Sequence, residues 1–116
     1  MASDWITLAI EALAQSEIPA ARGYPGTKMP YLTQAVAAVC IEAAYERTEE
    51  LMVHLFSPMA AGGAACEDVA LKALEAMTGI GGLCYLHSCA FDPDMGLFHQ
   101  KLQVQLPGID STEDTQ

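Results

Sequence analysis

The sequence predicts an α+β domain, a mixed and mainly antiparallel sheet of about four strands with two helices packed on it, in the order helix, hairpin, helix, hairpin. Three observations carry this. Cys66, Val69, Ala70, Ala73, Leu74 and Met77 recur at i, i+3, i+4, i+7, i+8 and i+11, a complete apolar stripe along one helix face. Residues 97–106, LFHQKLQVQL, alternate, with Phe98, Leu102, Val104 and Leu106 on one side, Gln100 being the exception there, and His99, Lys101, Gln103 and Gln105 on the other. Two apolar stretches between residues 36 and 56 flank the polar turn Arg47-Thr48-Glu49-Glu50, which reads as a long hairpin.

Taken in order, residues 4–16 place Trp5, Ile6, Ala9, Ile10 and Leu13 at helical spacing, with Ser3 or Asp4 as N-cap and Pro19 as the expected stop. Residues 19–35 hold Pro19, Gly23, Pro25, Gly26 and Pro30, too many breakers for regular structure, so an extended arm is expected there. The hairpin's first strand starts buried on both faces and ends half-exposed, where Ile41, Ala43 and Tyr45 alternate with Glu42, Ala44 and Glu46. Its second, residues 51–56, is apolar except for His54. Ser57-Pro58 and Gly62-Gly63 read as a connection into the striped helix. Glu67 and Asp68 are expected in the first turn of that helix, where they complement the macrodipole, and Gly79 is expected to end it. After Gly81-Gly82, residues 83–91 (LCYLHSCAF) read as one strand and residues 92–96 as the turn into the last. The domain is expected to span residues 1–107, followed by a disordered acidic tail over residues 108–116, GIDSTEDTQ.

Composition bounds the function. With 116 residues, 52% of them hydrophobic, the chain has material for one core. No run approaches the roughly 18 apolar residues that span a bilayer, so no membrane partner is expected. The start MASDWITL lacks a basic n-region, and neither a secretory nor a transit signal is expected. Fifteen acidic residues against five basic ones give a net charge of −10. Tight nucleic-acid binding needs clustered cations, and Arg22, Lys28, Arg47, Lys72 and Lys101 are scattered, so it is not expected. Cys40, Cys66, Cys84 and Cys89 each sit in apolar pattern, as small reduced core residues of a cytosolic protein do.

No catalytic, cofactor-binding or metal-binding residue is expected. Gly62-Gly63 stands between strand and helix as a phosphate loop does, but Glu67 and Asp68 bring negative charge to that helix and no Lys-Ser or Lys-Thr pair follows. Gly79-Ile80-Gly81-Gly82 follows a helix and precedes a strand, the wrong order for a dinucleotide fingerprint. Cys84, His87 and Cys89 resemble metal ligands, yet on a regular strand only His87 and Cys89 share a face unless a bulge intervenes, and two ligands do not make a zinc site. Ser57 has no nucleophile elbow around it, and Glu67 and Asp68 oppose activation of the Cys66 thiol. Glu42 and Glu46 lie about 13 Å apart on a strand, beyond the separation of paired glycosidase carboxylates, and with Glu49 and Glu50 form an acidic hairpin tip.

The candidate partner contacts lie elsewhere. Arg22, Tyr24, Lys28 and Tyr31 gather in the arm, and tyrosine and arginine are favoured at interface hot spots. The polar face of the last strand supplies His99, Lys101 and Gln103.

The whole pattern resembles the tail-terminator and head-tail joining (neck) proteins of tailed bacteriophages and prophages. The likeness covers residues 4–107: an N-terminal helix, the arm GYPGTKMPYLTQAVAAVCI, the stretch VHLFSPMAAGGAACEDVALKALEAM, and a closing hairpin around FDPDMGLF. The resemblance implies a non-enzymatic virion-assembly protein that forms a homo-oligomer, typically a hexameric ring, at the tail end or head-tail junction. It implies other phage tail or neck proteins as partners, with a location in the bacterial cytoplasm during assembly and in the virion afterwards. It also implies a negatively charged channel that DNA traverses without adhering, which suits the −10 charge but not its dispersal along the sequence. A rival expectation is a small ligand-binding or regulatory α+β domain on a ferredoxin-like split sheet, with His54, Tyr85 and His87 as the residues to inspect.

Overall fold

A computed structural model describes residues 2–22, 35–45 and 48–105. Its elements are α1 (Ala2–Gln15), β1 (Ala20–Arg22), β2 (Val36–Tyr45), β3 (Thr48–Pro58), a 3₁₀ turn (Met59–Ala61), α2 (Gly62–Gly79), β4 (Leu83–Leu86), β5 (Ala90–Asp92) and β6 (Leu97–Gln105). The class is α+β as expected, but the sheet is not. It has six strands in the order β1-β2-β3-β6-β4, with β5 also on β6, in place of about four strands in two successive hairpins.

Two physical causes account for the difference. The arm does not begin as irregular chain: Ala20–Arg22 pairs parallel to β2, from Ala20 with Ala37 to Arg22 with Val39, and adds an edge strand. The segment expected as one strand at residues 83–91 is broken in the middle. Leu86 pairs with Leu102 and Ala90 with His99, so three residues, 87–89, oppose two, 100–101. That extra residue is a bulge, which divides the strand and reverses the facing of the residues beyond it. The β2–β3 hairpin and the β5–β6 hairpin are present as expected, both antiparallel. Because β3 and β4 both run antiparallel to β6, which lies between them, β3-α2-β4 is a split βαβ unit.

Both helices cover one face of the sheet. Ile6, Ala9 and Leu13 of α1 and Ala70, Ala73 and Met77 of α2 pack on Ala37, Val39, Leu51, Val53, Leu55, Leu102 and Val104. The predicted stripe is therefore the buried face of α2, with Glu67, Asp68, Lys72 and Glu75 exposed opposite it. Its start differs from expectation: α2 begins at Gly62, so Gly62-Gly63 belong to its first turn and Glu67 and Asp68 fall later. Gly63 lies close against β6, where a Cβ would stand 3.3 Å from Phe98 Cε1. α1 also stops earlier than Pro19. Glu17 adopts φ 66°, and Ile18 N–H donates to Leu13 O at 2.9 Å, closing the helix end with a non-glycine residue in the left-handed region.

On the face away from the helices, Ala38, Phe56 and Leu97 form a second small buried cluster, with Val36 and Met95 against it. The sheet is thus apolar on both sides near its centre and becomes polar toward β4.

Candidate functional site

The outer edge of the sheet, at β4 and β5, concentrates what is unusual on the surface. The left-handed Gly81 (φ 96°) after α2 turns the chain so that Leu83–Leu86 lies along the end of β6. Strand alternation then points Leu83 and Tyr85 away from the helices, and they are 74% and 64% exposed. Phe91 of β5, edge-on to Phe98 at 5.3 Å between ring centroids, is also exposed. Among the described residues no strand pairs with the other side of β4, which leaves a row of backbone N–H and C=O groups open. No Lys, Arg, Asp or Glu occurs from residue 76 to residue 91 in a chain of net charge −10. β4 therefore lacks the charged and proline residues that usually block strand addition, and charge returns only at Asp92, the last residue of β5.

A polar chain runs inward from this edge across the same face. Gln103 Nε2 donates to the Glu50 carboxylate, which fixes the amide orientation and aims Gln103 Oε1 at His87. His87 Nε2 is 2.9 Å from that oxygen and must be the protonated nitrogen, because an amide oxygen only accepts. Tyr85 packs edge-on to His87 at 4.8 Å between centroids. Glu50, Leu83, Cys84, Tyr85, Gln103 and Gln105 line a trough of about 230 Å³. That is smaller than the roughly 300–1,000 Å³ of small-molecule sites, and the arrangement suits a seat for one inserted side chain better than an enclosed ligand.

The residues expected to contact partners do not converge. Arg22 lies on β1, at the far edge from β4, and its Nη2 donates to Thr7 Oγ1 at 3.3 Å. Tyr24, Lys28 and Tyr31 lie outside the described residues, as do the hairpin tip at Glu46 and Arg47 and the tail. Lys101 is exposed on the face away from the helices, and Gln103 beside it belongs to the polar chain. His99 shares that face and is partly buried on it: its ring stacks on Phe56 at 4.5 Å and 11°, and its Nε2 is 3.0 Å from His54 Nδ1. One imidazole must donate and the other accept, so the contact holds only while they are not both doubly protonated. Burial, then the neighbouring His54 and Lys101, hold His99 below the usual histidine pKa, against a smaller opposing pull from Asp92.

The bulge separates His87 from Cys89. His87 turns to Gln103 on the open face, and the register shift between Leu86 and Ala90 breaks the alternation that would have put Cys89 on that face beside it. Among the described residues no group of three or more His, Cys, Asp or Glu is arranged to hold a metal ion. Burial pushes the Cys66 thiol up to about 12, with Cys89 and then Glu67 adding to the shift. Cys84 is also raised by burial, partly offset by the Thr78 hydroxyl.

Sequence reasoning assigned no site role to Leu83, Phe91 or Glu50, and it noted Tyr85 and His87 only as residues to inspect. The one available signal was the uncharged run over residues 76–91, an anomaly in so acidic a chain. Fold and site together define an α+β domain with an open sheet edge, uncharged along β4, and a polar trough beside it. Comparisons with protein families, with curated proteins and with solved structures each find no match.

Proposed function

We propose that this chain is a non-enzymatic assembly protein of the phage or prophage tail-terminator and neck type, and that it self-associates through the β4–β5 edge. The observation that supports this reading is the edge itself: unpaired backbone groups flanked by exposed Leu83, Tyr85 and Phe91, with no charged residue from Leu83 to Phe91. Strand addition at such an edge gives affinity through main-chain hydrogen bonds and specificity through the alternate side chains. Elsewhere the surface repels a second copy, since the chain carries −10, so added salt strengthens association by screening that charge.

Sedimentation velocity over a concentration series tests this, with Leu83→Lys as the blocking variant. Burying a leucine contributes roughly 1.5–3 kcal/mol, so the variant weakens association about tenfold to a hundredfold. Its fold is unaffected, because Leu83 is 74% exposed. A strict monomer at millimolar concentration, or a variant that assembles as the parent does, would reject the edge as the interface. Genes for portal, capsid and tail-tube proteins beside this one support the phage assignment, and metabolic neighbours count against it.

The rival reading as a small ligand-binding domain has one observation in its favour, the Glu50–Gln103–His87 chain bordering the trough. A thermal-shift screen of small metabolites that finds a stabilising compound, with the effect lost in Gln103→Leu, would establish it.

A further inference from the structure

β4 offers its free edge in a definite phase. His87 N–H donates to Lys101 O at 2.9 Å, and this pair continues the register in which Leu83 faces Gln105 and Tyr85 faces Gln103. His87 O is likewise turned toward β6, where it accepts from Gln100 Nε2 at 2.7 Å. Hydrogen-bonded pairs alternate with non-bonded ones along an antiparallel ladder, so Leu83, Tyr85 and His87 direct their backbone N–H and C=O groups at β6. Cys84 and Leu86 therefore direct theirs outward, and among the described residues no strand meets them.

We propose, resting on the reading that copies meet at this edge, that β4 pairs antiparallel with β4 of a second copy about a two-fold axis through Tyr85, normal to the sheet. Such an isologous contact continues the open face of one sheet into that of the other, and residues directly opposite share a face. Opposite positions are then both odd or both even, so the axis falls on a residue and not between two.

Backbone chemistry chooses among the four residues of β4. An axis on Leu83 or on Cys84 would set an outward-facing residue against the second copy's Gly82, whose N–H already donates to Met77 O at 2.9 Å. An axis on Leu86 would set Cys84 against the second copy's Ser88, which lies outside either strand. With the axis on Tyr85, Cys84 of each copy meets Leu86 of the other, and every outward N–H and C=O of β4 finds its counterpart. The side chains agree with this centre. Tyr85 stands against the second copy's Tyr85 and Leu83 against its His87, in non-hydrogen-bonded pairs whose Cα atoms approach to ~4.5 Å. No charged residue occurs from residue 76 to residue 91, so the axis sets no like charges together in a chain of −10.

The test replaces Tyr85 by cysteine, which leaves the fold intact because Tyr85 is 64% exposed. The full chain carrying Tyr85→Cys is oxidised with copper–phenanthroline, and its non-reduced peptides are mapped by mass spectrometry. The expected product is a covalent dimer joined through position 85, since disulfides span Cα separations of ~4.4–6.8 Å. Leu83→Cys alone stays unlinked at position 83, because its two copies lie about 13 Å apart along the strands at ~3.3 Å per residue. Mixed with His87→Cys, it gives a link between positions 83 and 87. A parent chain that joins Cys84 to Cys84 would overturn the proposal by moving the axis. A chain whose assembly Leu83→Lys abolishes, but whose Tyr85→Cys variant gives no link at position 85, would overturn the two-fold and leave the edge as the interface. A parent chain that is strictly monomeric at millimolar concentration would reject the edge and the axis together.

Discussion

Replacing Ser57 by alanine is expected to stabilise this protein. Ser57 is the penultimate residue of β3, 0% exposed, and its Oγ has no hydrogen-bond partner among the described residues. A buried hydroxyl without a partner costs about 1–3 kcal/mol of desolvation that nothing offsets. Removing it leaves a void of roughly 10 Å³, which at about 24 cal/mol per Å³ costs about 0.2 kcal/mol. The net gain is about 1–2 kcal/mol, and for 116 residues each kcal/mol raises Tm by about 4 °C. Differential scanning calorimetry and urea unfolding of Ser57→Ala should therefore show a Tm higher by about 4–8 °C with an unchanged m-value. A lower Tm would show that the hydroxyl is hydrogen-bonded in solution and would refute the reasoning.

Local geometry sets two further outcomes. Glu17→Gly should stabilise by about 0.5–1 kcal/mol in urea unfolding, because a non-glycine residue at φ 66° costs about 1–2 kcal/mol while glycine adds less than that in unfolded-state entropy; a destabilised variant would mean the side chain holds the turn. The lowered pKa of His99 makes stability pH-dependent. The unfolded state takes up the proton first, so stability is full above the unfolded value of 6.5, falls as the pH drops through it, and levels off below the folded pKa. His99→Phe should flatten that slope in pH-resolved thermal melts, and an unaltered slope would assign it to other groups.

The secure sequence expectations were those set by repetition. Cys66 to Met77 needed only a helix of ordinary pitch to place Cys66, Ala70, Ala73 and Met77 in the core, and that is where they lie. The alternation in β6 likewise fixed its two faces, including Gln100 as the exception on the apolar side. Residues 83–91 show why this could not extend to the site. Apolar content predicts a strand there, but periodicity does not reveal one extra residue, and that residue decides whether His87 and Cys89 share a face. His99 lies on the face that its alternation with Phe98 assigns; what alternation could not show is the partial cover it receives there from Phe56 and His54, brought alongside by β3.

By itself the sequence determined that the fold is α+β, which faces of α2 and β6 enter the core, and that the chain is strongly acidic. These are properties of neighbours in sequence, and the 3.6- and 2-residue periods record them directly. Tertiary structure alone decided the strand order, which put β6 between β3 and β4 and left β4 as an edge. Strand order arises from contacts between residues far apart in sequence, among them Leu55 with Gln100 and Glu50 with Gln103. No local pattern encodes such pairs, and they are what give this protein its open edge and its polar trough.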